Sequence, residues 1–313
     1  MSETNKQTAL NAKTAYNLAN VTKTAPIYES ITPKYLPKLL DFKGLETGIF
    51  RVNKVKNKED LLDVLCSQTN NDVIPEGFID YEVNPREYIL NSISTIIKVD
   101  TRVSDLYSSP YNQINEQLRL SIESIRERQE SQLINNDDYG LLKNVPESQK
   151  IQSRTGAPTP DDLDELITKV WKEPSFFLAH PRAIAAFTRE ATRRGVPPVT
   201  TTIDGAPIVT WRGIPIIPTN KLLVDGHRDP KSQSGKTNIL LVRSGEAKQG
   251  VIGLYQTGLP GEKSRGLSVR HMGIDNKGIS SYLLSIYCSA AILSDDAIAV
   301  LEDVEVGNYY DYE

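Results

Sequence analysis

The sequence predicts an α+β fold, in which helices and β-strands occupy different stretches of the chain. Apolar residues recur at helical spacing between residues 109 and 134, and two further helices are indicated between residues 159 and 194. From residue 199 onward, and between residues 46 and 101, runs rich in Ile, Val and Thr are bounded by turn residues, which is typical of strands. Helical and strand-forming stretches that stay apart along the chain favour the α+β class.

Length and charge set the first limits on function. The chain has 313 residues, of which 39% are hydrophobic, so it can form one large domain or two modest ones with a real core. Its formal net charge of −4 argues against a nucleic-acid binder that relies on a large positive field. Residues 1–9 lack the apolar run of a signal peptide, and the apolar stretch 279–293 is too short to span a bilayer. We therefore expect a cytoplasmic protein that has neither nucleic acid nor a membrane as a partner.

The first third of the chain has little capacity to fold alone. Residues 1–45 are rich in Asn, Thr, Lys and Ala, and they favour an arm that becomes ordered against neighbouring subunits, with a frayed terminus as the alternative. Strands are predicted at 49–52 and 89–99, with a polar, turn-rich stretch between them. Because a two-stranded ribbon is only marginally stable, this segment needs a partner surface.

Three helices are predicted in the middle of the chain. The first is long and amphipathic and covers 109–134, with Ser109 as its N-cap. The second begins after Thr159, and its apolar stripe is expected to end with Trp171. The third covers 182–194.

The remainder of the chain is predicted to be mainly β. The candidate strands are 207–211, 214–218, 238–243, 250–256, 266–272 and 280–293. A polar loop rich in charged residues, 223–237, interrupts them, and a short apolar run ends near Leu301.

No residue is predicted to be catalytic, to bind a cofactor or to ligate a metal. The histidines His180, His227 and His271 lack the spacing of metal ligands, and His180 and His271 are interpreted as structural. The sequence contains neither a GxSxG nucleophile elbow nor a complete phosphate-binding glycine loop. The two cysteines, Cys66 and Cys288, form no CxxC pair and are interpreted as small buried hydrophobes.

Three pairs of adjacent acids also fail to predict catalysis. They are Asp137-Asp138, Asp161-Asp162 and Asp295-Asp296. Because neighbouring side chains point in different directions, none of these pairs forms a carboxylate dyad, and roles in helix caps and turns explain all three.

Several long, collinear strings resemble one family. RVSDLYSSP (102–110), TGAPTPDDLD (155–164), KVWKEPSFFLAHP (169–181), QGVIGLYQTGLPGE (249–262) and LSDDAIAVLEDV (293–304) closely resemble the family 2A encapsulins, and the similarity runs from about residue 14 to the C-terminus. The resemblance implies the fold of tailed-phage major capsid proteins. It divides the chain into an N-terminal arm (1–45), an E-loop (46–100), a P-domain with its spine helix (101–154), an A-domain (155–262), and P-domain return strands with the C-terminus (263–313).

The resemblance also implies a function. It indicates a self-assembling icosahedral nanocompartment shell of about sixty copies of this chain. Family 2A shells are similar in enclosing a cysteine desulfurase, a pyridoxal-phosphate enzyme, and they are linked to sulfur metabolism and storage. Pyridoxal phosphate is thus expected in the cargo, no cofactor is expected in the shell, and the shell subunit is not expected to be an enzyme.

One loop is predicted to form a pore. In a capsid-like subunit, residues 223–237 fall where the A-domain approaches the five-fold axis. His227, Arg228, Asp229 and Lys231 are therefore candidate pore-lining residues, because rings of charge bias which small ions pass. An exposed variable loop is the alternative interpretation.

Three other functions compete with this one. A phage or prophage capsid protein would share the fold but enclose DNA. A free-standing enzyme would need convergent polar groups, and the sequence offers none. A membrane-associated protein would need longer apolar runs than this chain has.

Overall fold

The structure, a computed structural model, describes residues 36–54, 79–100, 113–203, 205–222, 224 and 235–307. The helices in these residues are α1 (Leu36–Leu39), α2 (Gln113–Asn135), α3 (Pro160–Lys169) and α4 (Pro181–Arg193), with two 3-10 turns, η1 (Glu147–Gln149) and η2 (Asp295–Ala297). None of these helices is both long and apolar enough to cross a membrane.

Fifteen strands are found in the same residues. They are β1 (Asp41–Leu45), β2 (Ile49–Val52), β3 (Arg86–Ile89), β4 (Asn91–Asp100), β5 (Lys150–Gln152), β6 (Phe176–Ala179), β7 (Val199–Ile203), β8 (Ala206–Trp211), β9 (Ile214–Pro218), β10 (Lys236–Val242), β11 (Val251–Gln256), β12 (Glu262–Ser264), β13 (Leu267–Ile274), β14 (Ile279–Ile292) and β15 (Ile298–Glu305). Sheets and helices occur together, so the predicted α+β class is confirmed.

The larger sheet has seven strands in the order β5-β15-β10-β6-β9-β8-β7. All four residues of β6 are buried, because the strand is covered on both faces. Phe177 and Ala179 point into one core, which also contains Leu166 of α3 and Phe187 of α4. The alternate residues of β6 point into a second core, which contains the C-terminal end of α2 and the buried residues of α1.

The smaller sheet is built around β14, the longest described strand. β14 pairs with β4, β11 and β13, and β1 and β12 extend the sheet at its two ends. On one face, Ile125 of α2 packs against Leu284 and Ile286 of β14. α2, the predicted spine helix, thus covers part of one face of this sheet.

The ribbon consists of β2 and β3, which pair with each other in an antiparallel two-stranded sheet. The sequence predicts one strand over 89–99, but the structure divides this region at Leu90 into β3 and β4. The two strands form different partnerships, since β3 pairs with β2 and β4 pairs with β14.

The helix starts follow their capping residues. At α3, the Thr159 hydroxyl accepts a hydrogen bond from the Asp162 backbone at 3.2 Å, and the Asp162 carboxylate accepts one from the Thr159 backbone at 3.0 Å. At α4, the His180 ring nitrogen accepts from the Arg182 backbone at 3.2 Å. The predicted cap of the long helix, Ser109, lies outside the described residues.

Two sequence predictions were wrong. Trp171 does not belong to the buried stripe of α3, because the helix ends at Lys169 and the Trp171 side chain is exposed, with the Lys172 ammonium 5.1 Å from its ring centre. The apolar run near Leu301 is in fact a full strand, β15, which pairs with β5 on one side and β10 on the other.

The predicted domain limits stay predictions. Residues 36–45, assigned to the N-terminal arm, pack inside the subunit: Leu36 and Leu40 are buried, and β1 pairs with β11 in parallel. The arm prediction otherwise concerns residues 1–35, which lie outside the described part of the chain. β5 and β15, assigned to the P-domain, hydrogen bond within the larger sheet.

Candidate assembly interface

The predicted pore residues His227, Arg228, Asp229 and Lys231 lie outside the described residues, so a pore at this loop stays a prediction. The nearest described residues on the two sides are Val224, which packs against the core that contains Phe177, and Gly235, which precedes the first residue of β10.

The described residues contain no group of three or more His, Cys, Asp and Glu side chains that could hold a metal ion. His180 is an N-cap, as described above, and the exposed His271 ring contacts the Tyr282 ring at a tilt of 56°, with 5.1 Å between ring centres. Cys288 is buried as predicted, whereas Cys66 lies outside the described residues. His180 therefore has a structural role as a helix cap, whereas a structural role for His271 stays a prediction.

The ribbon has two chemically different faces. On its inner face, Phe50 and Tyr88 pack into a cluster with Ile252 and Leu254 of β11. The Tyr88 hydroxyl also donates a hydrogen bond to the Ile292 carbonyl oxygen at 2.9 Å. These contacts attach the root of the ribbon to the sheet face opposite α2.

The outer face of the ribbon carries one apolar pair and one ion pair, and both are exposed. Ile49 and Ile89 are directly paired across the two strands and are 40% and 58% exposed. Beside them, the Arg51 guanidinium bonds to the Glu87 carboxylate at 2.7 Å. A cross-strand Ile pair buries apolar surface only if another surface covers it, so this face is a candidate subunit contact.

A single carboxylate holds both strands of the ribbon root. The Lys54 ammonium lies 2.7 Å from each oxygen of Asp295, and the Arg86 guanidinium lies 3.3 Å from one of them. Partial burial alone would raise the pKa of Asp295, but the hydrogen bonds and positive charges of Lys54 and Arg86 lower the pKa below its ordinary value. Asp295 therefore stays ionised at neutral pH and links residues of both chain segments of the ribbon to η2.

The adjacent carboxylate, Asp296, points to a different cation. The fully buried Arg243 guanidinium bonds to Asp296 at 3.0 and 3.4 Å and to the Gln249 carbonyl oxygen at 3.3 Å. Burial alone would raise the pKa of Asp296, but hydrogen bonds from Arg243 and Ser294 and the charge of Lys172 lower it. The arginine in turn lies at the end of β10, in the larger sheet.

The turn η2 therefore does more than the sequence predicted for this acid pair. Capping and turn roles were expected, and Asp162 does complete a capping box at α3. At η2, however, the side chain of the N-cap residue Ser294 forms no capping bond. The two carboxylates of the turn instead join the ribbon to the larger sheet. The sequence could not reveal this, because Lys54, Arg86 and Arg243 lie far from the pair along the chain.

A second buried charge cluster joins α2 to the loop after β9. The Lys221 ammonium lies 2.5 Å from a carboxylate oxygen of Glu127, and the Asn135 amide donates to the Lys221 carbonyl oxygen at 2.8 Å. Glu130, one turn further along α2, is fully buried, and neither of its carboxyl oxygens has a hydrogen-bond partner among the described residues. Burial, together with a smaller effect of the charge of Glu127, raises the pKa of Glu130 to about 8, although the charge of Lys221 acts to lower it.

Comparison with known proteins identifies the family of this chain. Residues 50–308 match the family model described as SrpI-like, type 2A encapsulin shell protein. The chain belongs to the type 2A encapsulin shell protein family. It is 54% identical to the type 2A encapsulin shell protein SrpI of Synechococcus elongatus over 312 residues, covering 100% of this chain and 99% of that protein. It is also 52% identical to the type 2A encapsulin shell protein of Mycolicibacterium paratuberculosis, covering 99% and 98% of the two chains.

Solved structures agree with this family. The holo-SrpI encapsulin complex from Synechococcus elongatus PCC 7942 has a TM-score of 0.81 at 53% identity, with 97% of this chain and 99% of that chain covered. The capsid of an empty GTA particle has a TM-score of 0.62 at 12% identity, with 93% and 97% covered, which shows a shared fold. The predicted tailed-phage capsid fold is confirmed, and the encapsulin chain is a structural shell subunit that forms a homo-oligomeric, capsid-like nanocompartment, not an enzyme.

Proposed function

We propose that this encapsulin shell encloses a pyridoxal-phosphate-dependent cysteine desulfurase and serves sulfur metabolism or storage. The proposal is supported by the family, which the sequence strings at 155–181 and 249–262 resemble along with the rest of the chain. It is also supported by a relative that was solved as a holo complex. The pyridoxal phosphate would be held by the cargo, and the shell would supply an enclosed volume around it.

The two-faced ribbon is the observation that carries the assembly part of the proposal. The inner face is fixed to its own subunit, so the ribbon presents Ile49 and Ile89 in a defined direction. Because all subunits are identical, every copy presents the same pair at an equivalent position, which suits closed symmetry. A shell of about sixty copies is the smallest icosahedral arrangement of this kind.

Co-expression tests the cargo directly. The shell and the cysteine desulfurase of the same organism would be produced together, and particles would be isolated by size. We expect desulfurase, bound pyridoxal phosphate and cysteine-dependent alanine formation in the particle fraction, and protection of the enclosed enzyme from added protease. Particles of shell alone are the control, and a desulfurase that stays entirely outside intact particles would contradict the proposal.

The same particles test the predicted partners and location. Treatment with nuclease before extraction should leave no protected DNA, because the proposed content is protein. We further propose a cytoplasmic compartment, so thin sections of cells should show the particles away from the membrane.

The predicted pore is tested by kinetics of the enclosed enzyme. A variant with His227, Arg228 and Asp229 replaced by Ala should change the apparent KM for cysteine of the enclosed desulfurase but not of the free enzyme. An unchanged apparent KM inside the variant shell would contradict a role of this loop in selecting small molecules.

A further inference from the structure

The carboxyl group of Glu130 is placed where an ionised side chain is hard to accommodate. It is fully buried in the subunit, and neither oxygen is hydrogen bonded to a described residue. A carboxylate taken out of water without a partner is costly, so such a group holds its proton to a higher pH than usual. Glu130 is therefore neutral in conditions under which an ordinary glutamate is charged.

The charged groups around Glu130 also favour its protonated, neutral form. Among the described residues, the charged groups that act on it are Glu127 of the same helix and Lys221 of the loop after β9. Lys221 is the partner of Glu127, with 2.5 Å between the ammonium nitrogen and the carboxylate oxygen. If Glu130 also ionised, two buried carboxylates would share one ammonium group, and the cluster would hold an uncompensated negative charge.

This cluster lies at a junction between the two sheets. α2 covers one face of the smaller sheet, and Lys221 belongs to a loop that continues from β9 of the larger sheet. The bonds that hold the loop include one from the Thr219 backbone to the Ala179 carbonyl oxygen at 2.9 Å, and Lys221 bonds to α2 through both its ammonium and its carbonyl groups. A change in the charge of Glu130 thus acts on the bond that joins α2 to the loop.

We propose that the protonation state of Glu130 controls the contact between the spine helix α2 and the loop at residues 219–222. Loss of the Glu130 proton weakens this junction in the assembled shell. With the proton in place, Glu127 alone holds Lys221. When the proton leaves to solvent, the Glu130 carboxylate repels Glu127 and competes with it for Lys221. The shell is then more easily opened at mildly alkaline pH than at mildly acidic pH.

The sign of the pH dependence follows from the two states of the group. In an opened junction the carboxyl reaches water and has its ordinary pKa of 4.5, whereas in the closed junction its pKa is about 8. Between these values only the closed state carries the proton, so the equilibrium constant for opening rises by about tenfold per pH unit. Below this window, and above it, the contribution of Glu130 does not change with pH.

Hydrogen exchange on assembled shells measures this opening. The amides of the 219–222 loop would be followed across the window, and the rates corrected for the intrinsic effect of pH on exchange. In the wild-type chain we expect opening of the junction between α2 and the loop to increase with pH and then level off near pH 8. Glu130→Gln, which cannot ionise, should remove the pH dependence, and an unchanged slope in E130Q would overturn the proposal. Glu116→Gln is the matched control, because Glu116 is on the same helix but pairs with Arg119 at the surface.

Infrared spectroscopy tests the protonation state without relying on E130Q alone. The original shells should show a protonated-carboxyl band at neutral pH that disappears as the pH rises past about 8. In Glu127→Gln, Lys221 becomes available to Glu130, so the band should disappear at a lower pH. If E130Q fails to assemble, this shift in E127Q supports the proposal, and absence of the band at neutral pH in the original shells overturns it.

Discussion

Replacing Asp296 with Asn should destabilise the subunit strongly, because it removes the counter-ion of a fully buried arginine. Arg243 is 0% exposed and has its Asp296 bonds at 3.0 and 3.4 Å, while its Nε atom has no hydrogen-bond partner among the described residues. Breaking a buried ion pair by removing one partner costs about 3–5 kcal/mol, since the remaining charge stays buried. The Asn side chain can still accept one bond through its amide oxygen, so we expect a value near the lower limit, about 3 kcal/mol.

The assay is urea unfolding of intact shells at one protein concentration, because assembly contributes to the measured stability. Asp137→Asn is the control: its carboxylate is 89% exposed and lies 3.6 Å from Lys143, so its loss should cost about 0–1 kcal/mol. Combining Asp296→Asn with Arg243→Met should recover much of the loss, since the buried cation is then gone. If the free energies of unfolding of D296N and D137N shells differ by less than about 1 kcal/mol, the proposed role of the buried ion pair is wrong.

The same carboxylate predicts an acid dependence. Because the pKa of Asp296 is lowered in the folded subunit, its contribution to stability is complete above its ordinary pKa of 3.8 and is lost as the pH falls below that value. The original shells should therefore lose more stability on acidification below about pH 4 than D296N shells do. Equal acid profiles, measured by light scattering against pH, would show that another group controls acid disassembly.

Further predictions concern the ribbon, a glycine and the buried thiol. Asp295→Asn should free both strands of the ribbon root from their common partner, lowering the yield of closed particles in electron micrographs more than D137N does. Gly250→Ala should abolish soluble shells, because a Cβ atom at this position would lie 2.3 Å from the Arg243 carbonyl oxygen. In a Cys66→Ser background, Cys288 should react with thiol reagents only after unfolding, because burial raises the pKa of its thiol to about 12. Soluble G250A shells would contradict the close packing at Gly250. Fast labelling of Cys288 in folded shells would contradict the burial of its thiol.

Local chemistry made the helices in the middle of the chain predictable. The Thr159 cap, the Pro160 start and the apolar stripe through Leu166 act within a few residues of one another, so the sequence contains the whole signal for α3. The end of α3 was less predictable, and Trp171 was therefore assigned to the wrong surface. Most strand limits after residue 206 agreed to within one or two residues, because their apolar runs are bounded by turns.

The charge clusters could not be predicted, because they depend on distant parts of the chain. Lys54 and Asp295 are separated by 241 positions, so no local spacing connects them. Glu130 appears in the sequence as one more acidic residue on an amphipathic helix, and only packing shows that it faces inward. The division of 89–99 at Leu90 has the same origin, since it depends on which strands pair with β3 and β4.

The central place of β14 has a consequence for how these shells are made in the cell. Among the described strands, β4 pairs with β14, and Ser94 and Ser285, which are hydrogen bonded across the two strands, are 191 positions apart. During translation, β4 leaves the ribosome long before β14 does. β4 therefore stays without this partner until β14 has been synthesised. A polypeptide released before residue 279 lacks β14, and therefore it cannot form the central strand of the smaller sheet.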